Sequence, residues 1–255
     1  LCCNPNNNRM IMEAPKQTKK RFVVFLDIMG FKERVARNTQ DSLYEELTDF
    51  NRDITTIINS TKKIKKTRLS KQNDSSDITL IKSEEEEDEI LLAQFSDSIV
   101  LFTNGNTKEN LLTISNVAKQ IMISAIKREK PIPLKGALAE GDITCDMIKQ
   151  LFFGQALIDA YLLEENIQYY GIVVHHSAEQ SVKSYATEIY KDNLVPLKSG
   201  KINHYELVWY NNSSDDVKLG LERIRLSVSD SPRKYVDNTN KTLEKALGTN
   251  LYAAY

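Results

Sequence analysis

The sequence lacks the features that mark several easily recognised classes of protein. It has three cysteines, too few for a disulfide framework, which favours a cytoplasmic location with reduced thiols. No apolar run approaches the length of a membrane span, so we expect no membrane partner. The net charge is −1, and without a basic field we expect no nucleic-acid partner. The composition, 41% hydrophobic and 27% charged, is that of an ordinary globular protein.

Charge and polarity divide the chain into segments. Residues 1–20, which begin LCCNPNNNR, are predicted to be a disordered N-terminal segment, and residues 21–255 one domain. Within that domain, residues 62–88 change from a basic run, KKIKK, to an acidic run, SEEEED. Blocks of like charge are typical of solvated segments, so we predict a mobile charged loop there. A nucleic-acid patch is not favoured, because no aromatic residues interleave with the basic ones.

The hydrophobic pattern predicts an α+β fold. Strands are predicted at 21–26, 89–95, 98–103, 132–143, 169–176 and 202–210, and helices at 42–62, 109–128, 154–167 and 235–247. This order predicts a ferredoxin-like βαββαβ core, with an antiparallel sheet, helices on one face, and a C-terminal strand and helix.

Two aspartates stand out because they end strands. Asp27 closes the first strand in FVVFLDIMGF, and Asp97 lies in the hairpin QFSDSI. In a βαββαβ core the first and third strands are neighbours, so the hairpin tip lies beside Asp27. Paired carboxylates on rigid strand ends suit Mg²⁺ or Mn²⁺ when phosphates and water supply the other ligands. Taken singly, however, an Asp at a strand end is more often a turn former or helix cap.

The segment after Asp27 has the pattern of a phosphate-binding turn. Met29, Gly30 and Phe31 lead into a short helical run, whose free N–H groups are expected to face a triphosphate. Gly30 allows the backbone to approach the ligand closely. Together with the two aspartates, this segment predicts a site for phosphoryl transfer.

Four blocks, FLDIMGF, FSDSIVLF, LKGALAEGDI and FFGQALIDAYLLEE, resemble class III nucleotidyl cyclases and occur in the same order as in that family. The resemblance implies that Asp27, Asp97 and the carbonyl of Ile28 bind two Mn²⁺ or Mg²⁺ ions. It also implies that Lys32, in the place of a phosphate-contacting threonine, binds phosphate as a point charge. An ordinary surface lysine is the alternative for Lys32.

The same resemblance implies a homodimer with composite active sites. In the predicted architecture, the strand of Lys135 and the helix that starts at Gly154 do not easily reach the metals of their own chain, so they would serve a second subunit. Lys135 is therefore a candidate for charge stabilisation or base contact, unless it is an ordinary strand-end lysine. Gln155 and Asp159 form an i,i+4 polar pair on the helix and are candidate nucleotide-binding residues.

The chain departs from the purine cyclases at several positions. By resemblance, the Lys–Asp pair that selects a purine base falls on Pro133 and Leu151, neither of which reads a base edge through its side chain. The family's transition-state Asn and Arg fall on Ile158 and Leu162. The chain is therefore more similar to the pyrimidine cyclases of Pycsar antiphage systems, on the segments FGQALIDAYLLEE, YYGIVV, HYELVWY and YVDNTNKTLEKAL.

That resemblance implies a second messenger in antiphage defence. The enzyme would convert UTP or CTP to cyclic UMP or cyclic CMP and pyrophosphate, and the product would activate a separate effector that leads to abortive infection. The alternative is a catalytically silent cyclase-homology domain that binds nucleotide for regulation, which the loss of the purine pair also fits.

Overall fold

A computed structural model describes residues 18–72, 90–210 and 214–247, which form one mixed β-sheet with helices packed on both faces. The strands are β1 (Thr18–Ile28), β2 (Leu91–Phe95), β3 (Ser98–Phe102), β4 (Leu134–Asp146), β5 (Leu151–Gly154), β6 (Ile172–Val174), β7 (Tyr190–Leu197) and β8 (Gly200–Leu207). The helices are α1 (Phe31–Arg37), α2 (Gln40–Gln72), α3 (Lys108–Lys127), α4 (Gln155–Asn166), α5 (His176–Tyr185), α6 (Ser214–Ser227) and α7 (Asp230–Leu247). Across these three ranges, no helix combines the length and the apolar character that a bilayer span requires.

The sheet order confirms the predicted α+β core. The strands lie in the order β2-β3-β1-β4-β6-β8-β7, and β5 pairs with β4 outside this path. The first four strands in this order form the βαββαβ arrangement, with β1 between β3 and β4 and antiparallel to both. The pairing of β4 with β6 is parallel. The central position of β1 matters for the site, because it fixes the end of that strand from two sides.

The two faces of β1 contribute to different cores. Alternate side chains point to opposite faces of a strand. Phe22, Val24 and Leu26 belong to the larger core, which α2, α3, α5, α6 and α7 cover. Val23 and Phe25 belong to a second core that includes Ala156 and Ala160 of α4. The two helices of the βαββαβ core, α2 and α3, therefore share one face, as predicted, whereas α4, which follows that core, covers the opposite face; helical periodicity identifies an apolar stripe but not the side of the sheet it meets.

Several predicted boundaries also need correction. Strand β1 begins at Thr18, so residues 18–20 of the predicted disordered segment belong to the sheet, and residues 1–17 lie outside the described ranges. Helix α2 continues to Gln72, so the predicted loop at 62–88 is wrong over 62–72. Lysine and arginine are good helix formers, so a basic run need not end a helix. Residues 73–89 are also outside the described ranges.

The sequence pattern did not predict four of the described elements, namely β5, α5, β7 and α6. Strand β7 is an edge strand and contains Pro196, a residue that argues against a strand when only the sequence is known but is tolerated at sheet edges. The predicted strand at 169–176 shortens to Ile172–Val174 because α5 starts at His176.

Candidate active site

Asp27 and Asp97 are brought together at the end of β1. The hairpin between β2 and β3 turns through Ser96 and Asp97, and Ser96 adopts a positive φ of 55°. Asp27 is paired in register with Ser98, the residue that follows Asp97. The Ile28 amide donates a hydrogen bond to the Asp97 carbonyl at 2.9 Å. The turn is thereby fixed to the strand end that carries the first carboxylate.

Asp27 is partly buried and has a second carboxylate, Asp97, as a neighbour. Burial raises the pKa of Asp27 to about 6, the neighbouring Asp97 adds to the increase, and Lys135 opposes it. A raised carboxyl pKa means that the ionised form is poorly compensated. A divalent cation between the two carboxylates would supply the missing charge.

The donor set fits a divalent metal ion of the Mg²⁺ or Mn²⁺ type. Asp27 and Asp97 offer carboxylate oxygens at rigid positions, and such ions commonly use one or two carboxylates and complete their coordination with phosphates and water. Within residues 18–72, 90–210 and 214–247, no group of three or more His, Cys, Asp and Glu side chains is arranged to hold a metal.

The turn after β1 partly matches the predicted phosphate-binding segment. Gly30 has a φ of 73°, in the left-handed region, and forms the N-cap of α1, a conformation that glycine adopts without steric cost. The Met29 N–H, which precedes this turn, donates to the Pro133 carbonyl at 2.9 Å. Phe31 packs against the larger core, and Lys32 is exposed. The backbone N–H groups of the first turn of α1 and the exposed Lys32 side chain are therefore the parts of this segment that are available to a ligand.

Lys135 lies in the same site as Asp27, not at a distant one. The two residues are register partners in the β1–β4 pair. The Lys135 Nζ is 2.8 Å from Glu164 Oε1 and donates to the Glu164 carbonyl at 3.1 Å. The expectation that the Lys135 strand does not easily reach the metals of its own chain is therefore wrong. Strand β4 pairs with the whole length of β1, and this pairing places Lys135 beside Asp27.

Glu164 is the site residue that the sequence analysis missed. It is 3% exposed, and burial raises its pKa although Lys135 opposes the increase. A signal was present, because the buried residues of α4 are Ala156, Ala160 and Glu164, one helical stripe that meets the sheet. A carboxylate on an otherwise apolar stripe needs a buried partner.

The start of α4 lies far from Asp27 in the same chain. The Gln155 side chain donates to Asp159 at 2.7 Å, as the i,i+4 spacing predicts. Ala156, which follows Gln155, packs against Gly141, and Gly141 pairs with Arg21 at the other end of β1, roughly 20 Å from Asp27 at the rise of a β-strand. One chain alone therefore does not bring Gln155 to the carboxylate pair.

The positions matched to the purine-selecting pair do not form a pocket. Pro133 directly precedes β4, whereas Leu151 pairs with Asp146 at the end of the same strand. The structure thus places the two residues at opposite ends of β4. Ile158 and Leu162 are 50% and 51% exposed, so they form a solvent-facing apolar face on α4.

The fold is similar to that of nucleotide cyclase domains of known structure. The catalytic core of a rhodopsin-guanylyl cyclase with converted specificity, solved with ATPαS, is 16% identical over 74% of this chain and 95% of its own, with a TM-score of 0.50. The chain therefore has the fold of a class III nucleotidyl cyclase catalytic domain. Two further cyclase structures are also 16% identical. The guanylate cyclase domain of RhGC from Catenaria anguillulae has a TM-score of 0.48 over 74% of this chain and 96% of its own. The adenylate/guanylate cyclase/hydrolase from Silicibacter pomeroyi has a TM-score of 0.47 over 75% and 97%. No protein-family model and no curated protein matches this chain by sequence.

The raised pKa of Asp27 predicts that its ionised side chain destabilises the folded state. Between its unfolded pKa of 3.8 and its folded value of about 6, the folded state binds more protons, so the free energy of unfolding falls as the pH rises through this window. Asp27→Asn should therefore raise Tm at pH 8 by roughly 2–5 °C, and the gain should shrink as the pH falls towards 4. Thermal unfolding of both proteins from pH 4 to pH 8 tests this; equal Tm values at pH 8 would contradict it. Asp142→Asn, at an exposed position of β4, is the matched control.

Proposed function

We propose that this chain is a nucleotidyl cyclase that converts a pyrimidine nucleoside triphosphate, UTP or CTP, to its 3′,5′-cyclic monophosphate and pyrophosphate. The observation that carries the proposal is the placement of Asp27 beside Asp97 on a cyclase fold. The residue order that produces this pair, a strand-end carboxylate and a hairpin carboxylate, is the one that resembles the metal motifs of class III cyclases.

Asp27 and Asp97 would hold two Mg²⁺ or Mn²⁺ ions, with the Ile28 carbonyl as a further ligand. When bound, such ions lower the pKa of the ribose 3′-hydroxyl and neutralise the charge of the departing pyrophosphate. The hairpin and β1 hold the two carboxylates in fixed relation, so little reorganisation is needed when substrate arrives. The first turn of α1, entered through Gly30, presents backbone N–H groups to the phosphates, and Lys32 adds a mobile positive charge at the surface.

The active form would be a head-to-tail homodimer. An exposed apolar surface, here called the α4 surface, supports this proposal. Its members are Ile158, Tyr161 and Leu162, which lie on one face of the helix and are 50%, 43% and 51% exposed. Large exposed apolar surfaces mark interaction sites. Because Gln155 is far from Asp27 of its own chain, a dimer built on this surface offers Gln155 and its hydrogen-bond partner Asp159 a role in the site of a second subunit.

The pyrimidine substrate and the role in antiphage defence rest on the resemblance to Pycsar cyclases. Ile158 and Leu162 support a departure from the purine cyclases, because an apolar, exposed pair replaces the polar Asn and Arg. The cyclic product would act as a messenger that activates a separate effector and leads to abortive infection.

The test is incubation of the purified full chain with Mn²⁺ and each of ATP, GTP, CTP and UTP in separate reactions. We expect pyrophosphate release from UTP or CTP, with a product that has the mass of cyclic UMP or cyclic CMP. Cyclic AMP or cyclic GMP as the main product would overturn the pyrimidine assignment but not the cyclase. If no nucleotide releases pyrophosphate, the chain is a silent cyclase-homology domain.

A further inference from the structure

The ion pair between Lys135 and Glu164 is buried, which is unusual for two charged side chains. The side chains are 8% and 4% exposed, and the Nζ to Oε1 distance is 2.8 Å. Burial of an ion pair is costly, and an apolar pair of similar volume often stabilises a fold as well or better. The pair is therefore poorly explained by stability alone, and its position next to Asp27 suggests a role in the site.

Lys135 is a cation that would compete with a metal ion for Asp27. It is the register partner of Asp27, and its charge lowers the pKa of that carboxyl group. A lysine in this position, if free to move, would pair with Asp27 and reduce its negative charge. An Asp27 carboxylate paired with an ammonium group is a weaker ligand for a divalent cation.

Glu164 directs the ammonium group of Lys135 away from that interaction. Among the described residues, the Nζ makes two contacts with Glu164, one to its carboxylate and one to its backbone carbonyl in the last turn of α4. The Glu164 carbonyl also accepts a hydrogen bond from the Ile167 amide at 3.0 Å, and its second lone pair accepts from Lys135. Lys135 is thus held at α4 by a charged group and by a helix end.

We infer that Glu164 is a positioning residue that occupies the ammonium group of Lys135, so that the Asp27 carboxylate stays free to bind a divalent metal ion. This inference rests on the metal site of the proposed function. It assigns Lys135 a role within its own chain, in place of the charge stabilisation or base contact for which the resemblance makes it a candidate. It also predicts that Glu164 acts only through Lys135.

A double-mutant cycle on Mn²⁺ binding tests the inference without reference to turnover. The proteins are the wild-type full chain, Glu164→Gln, Lys135→Met and the double variant, titrated with Mn²⁺ alone at pH 8 and followed by the electron paramagnetic resonance of free Mn²⁺. Glu164→Gln should raise the Mn²⁺ Kd roughly tenfold in the wild-type background and less than about twofold in the Lys135→Met background. Lys135→Met alone should bind Mn²⁺ at least as tightly as wild type.

The other outcomes each overturn a specific statement. An equal effect of Glu164→Gln in both backgrounds would mean that Glu164 acts on the metal by its own charge and not through Lys135. If Glu164→Gln alone binds Mn²⁺ with the wild-type Kd, the Lys135–Glu164 pair has only a structural role. Should Glu164→Gln fail to fold, a Lys135→Met variant that binds Mn²⁺ more weakly than wild type would overturn the inference. If Asp97→Asn binds Mn²⁺ with the same Kd as the wild type, the metal site of the proposed function is wrong, and this inference is wrong with it.

Discussion

Asp97→Ala is expected to abolish cyclase turnover while the fold and the dimer persist. The side chain lies in a hairpin turn and is only partly buried, so its removal leaves no core cavity. Its loss takes away one of the two carboxylates that would hold the metal ions, an interaction worth several kcal/mol in the transition state. We expect a reduction in kcat/KM of roughly 1,000-fold or more.

The measurement is the rate of pyrophosphate release with saturating Mn²⁺, together with Tm and the mass of the assembly in solution. Asp142→Asn, the exposed carboxylate of β4 used above as a control, should keep wild-type activity. An Asp97→Ala protein that remains active with Mn²⁺ would show that the metal assignment is wrong. A protein that loses its fold would show that the residue has a structural role in the turn.

Leu162→Glu should convert the protein to inactive monomers. Leu162 is 51% exposed and lies on the α4 surface, where a buried carboxylate would have no partner in a dimer interface. Because the proposed sites combine residues of two chains, we expect a loss of activity of about 100-fold or more along with the dimer.

Light scattering after gel filtration and the pyrophosphate assay, at the same protein concentration, measure the two effects of Leu162→Glu. Leu226→Glu in α6 is the matched control, because Leu226 is 78% exposed and lies on a helix of the other face of the sheet. A dimeric Leu162→Glu protein would mean that the interface lies elsewhere. A monomer with full activity would contradict the composite site.

The core topology was predictable because its signals are local. The apolar run that ends at Asp27, the hairpin spacing around Asp97 and the helical spacing after Gly154 each identify an element, and the connection rules then place β1 beside β3. The adjacency of the two aspartates follows from that order alone. The same reasoning did not find the face of the sheet that α4 covers, since periodicity carries no information about which side of the sheet a helix meets.

The surroundings of Lys135 were not predictable from the pattern that led to Asp27. The sequence shows a lysine near the start of a strand, and its partner Glu164 lies in a different element, α4. The link between them depends on α4 packing against β1 and β4, which requires the small side chains of Ala156 and Ala160. Such contacts follow from the fold, so the role of Glu164 is visible only once the helix is placed.

The position of β1 between β3 and β4 has a consequence for the lifetime of the site. Amide groups in the middle of a sheet open to solvent only when the whole domain unfolds, whereas edge strands open locally at lower cost. Asp27 is carried by the middle strand, and the Ile28 amide ties the Asp97 turn to it. Partial opening of the edge strand β7 should therefore leave the carboxylate pair in place, because β7 is separated from β1 by three strands in the sheet order.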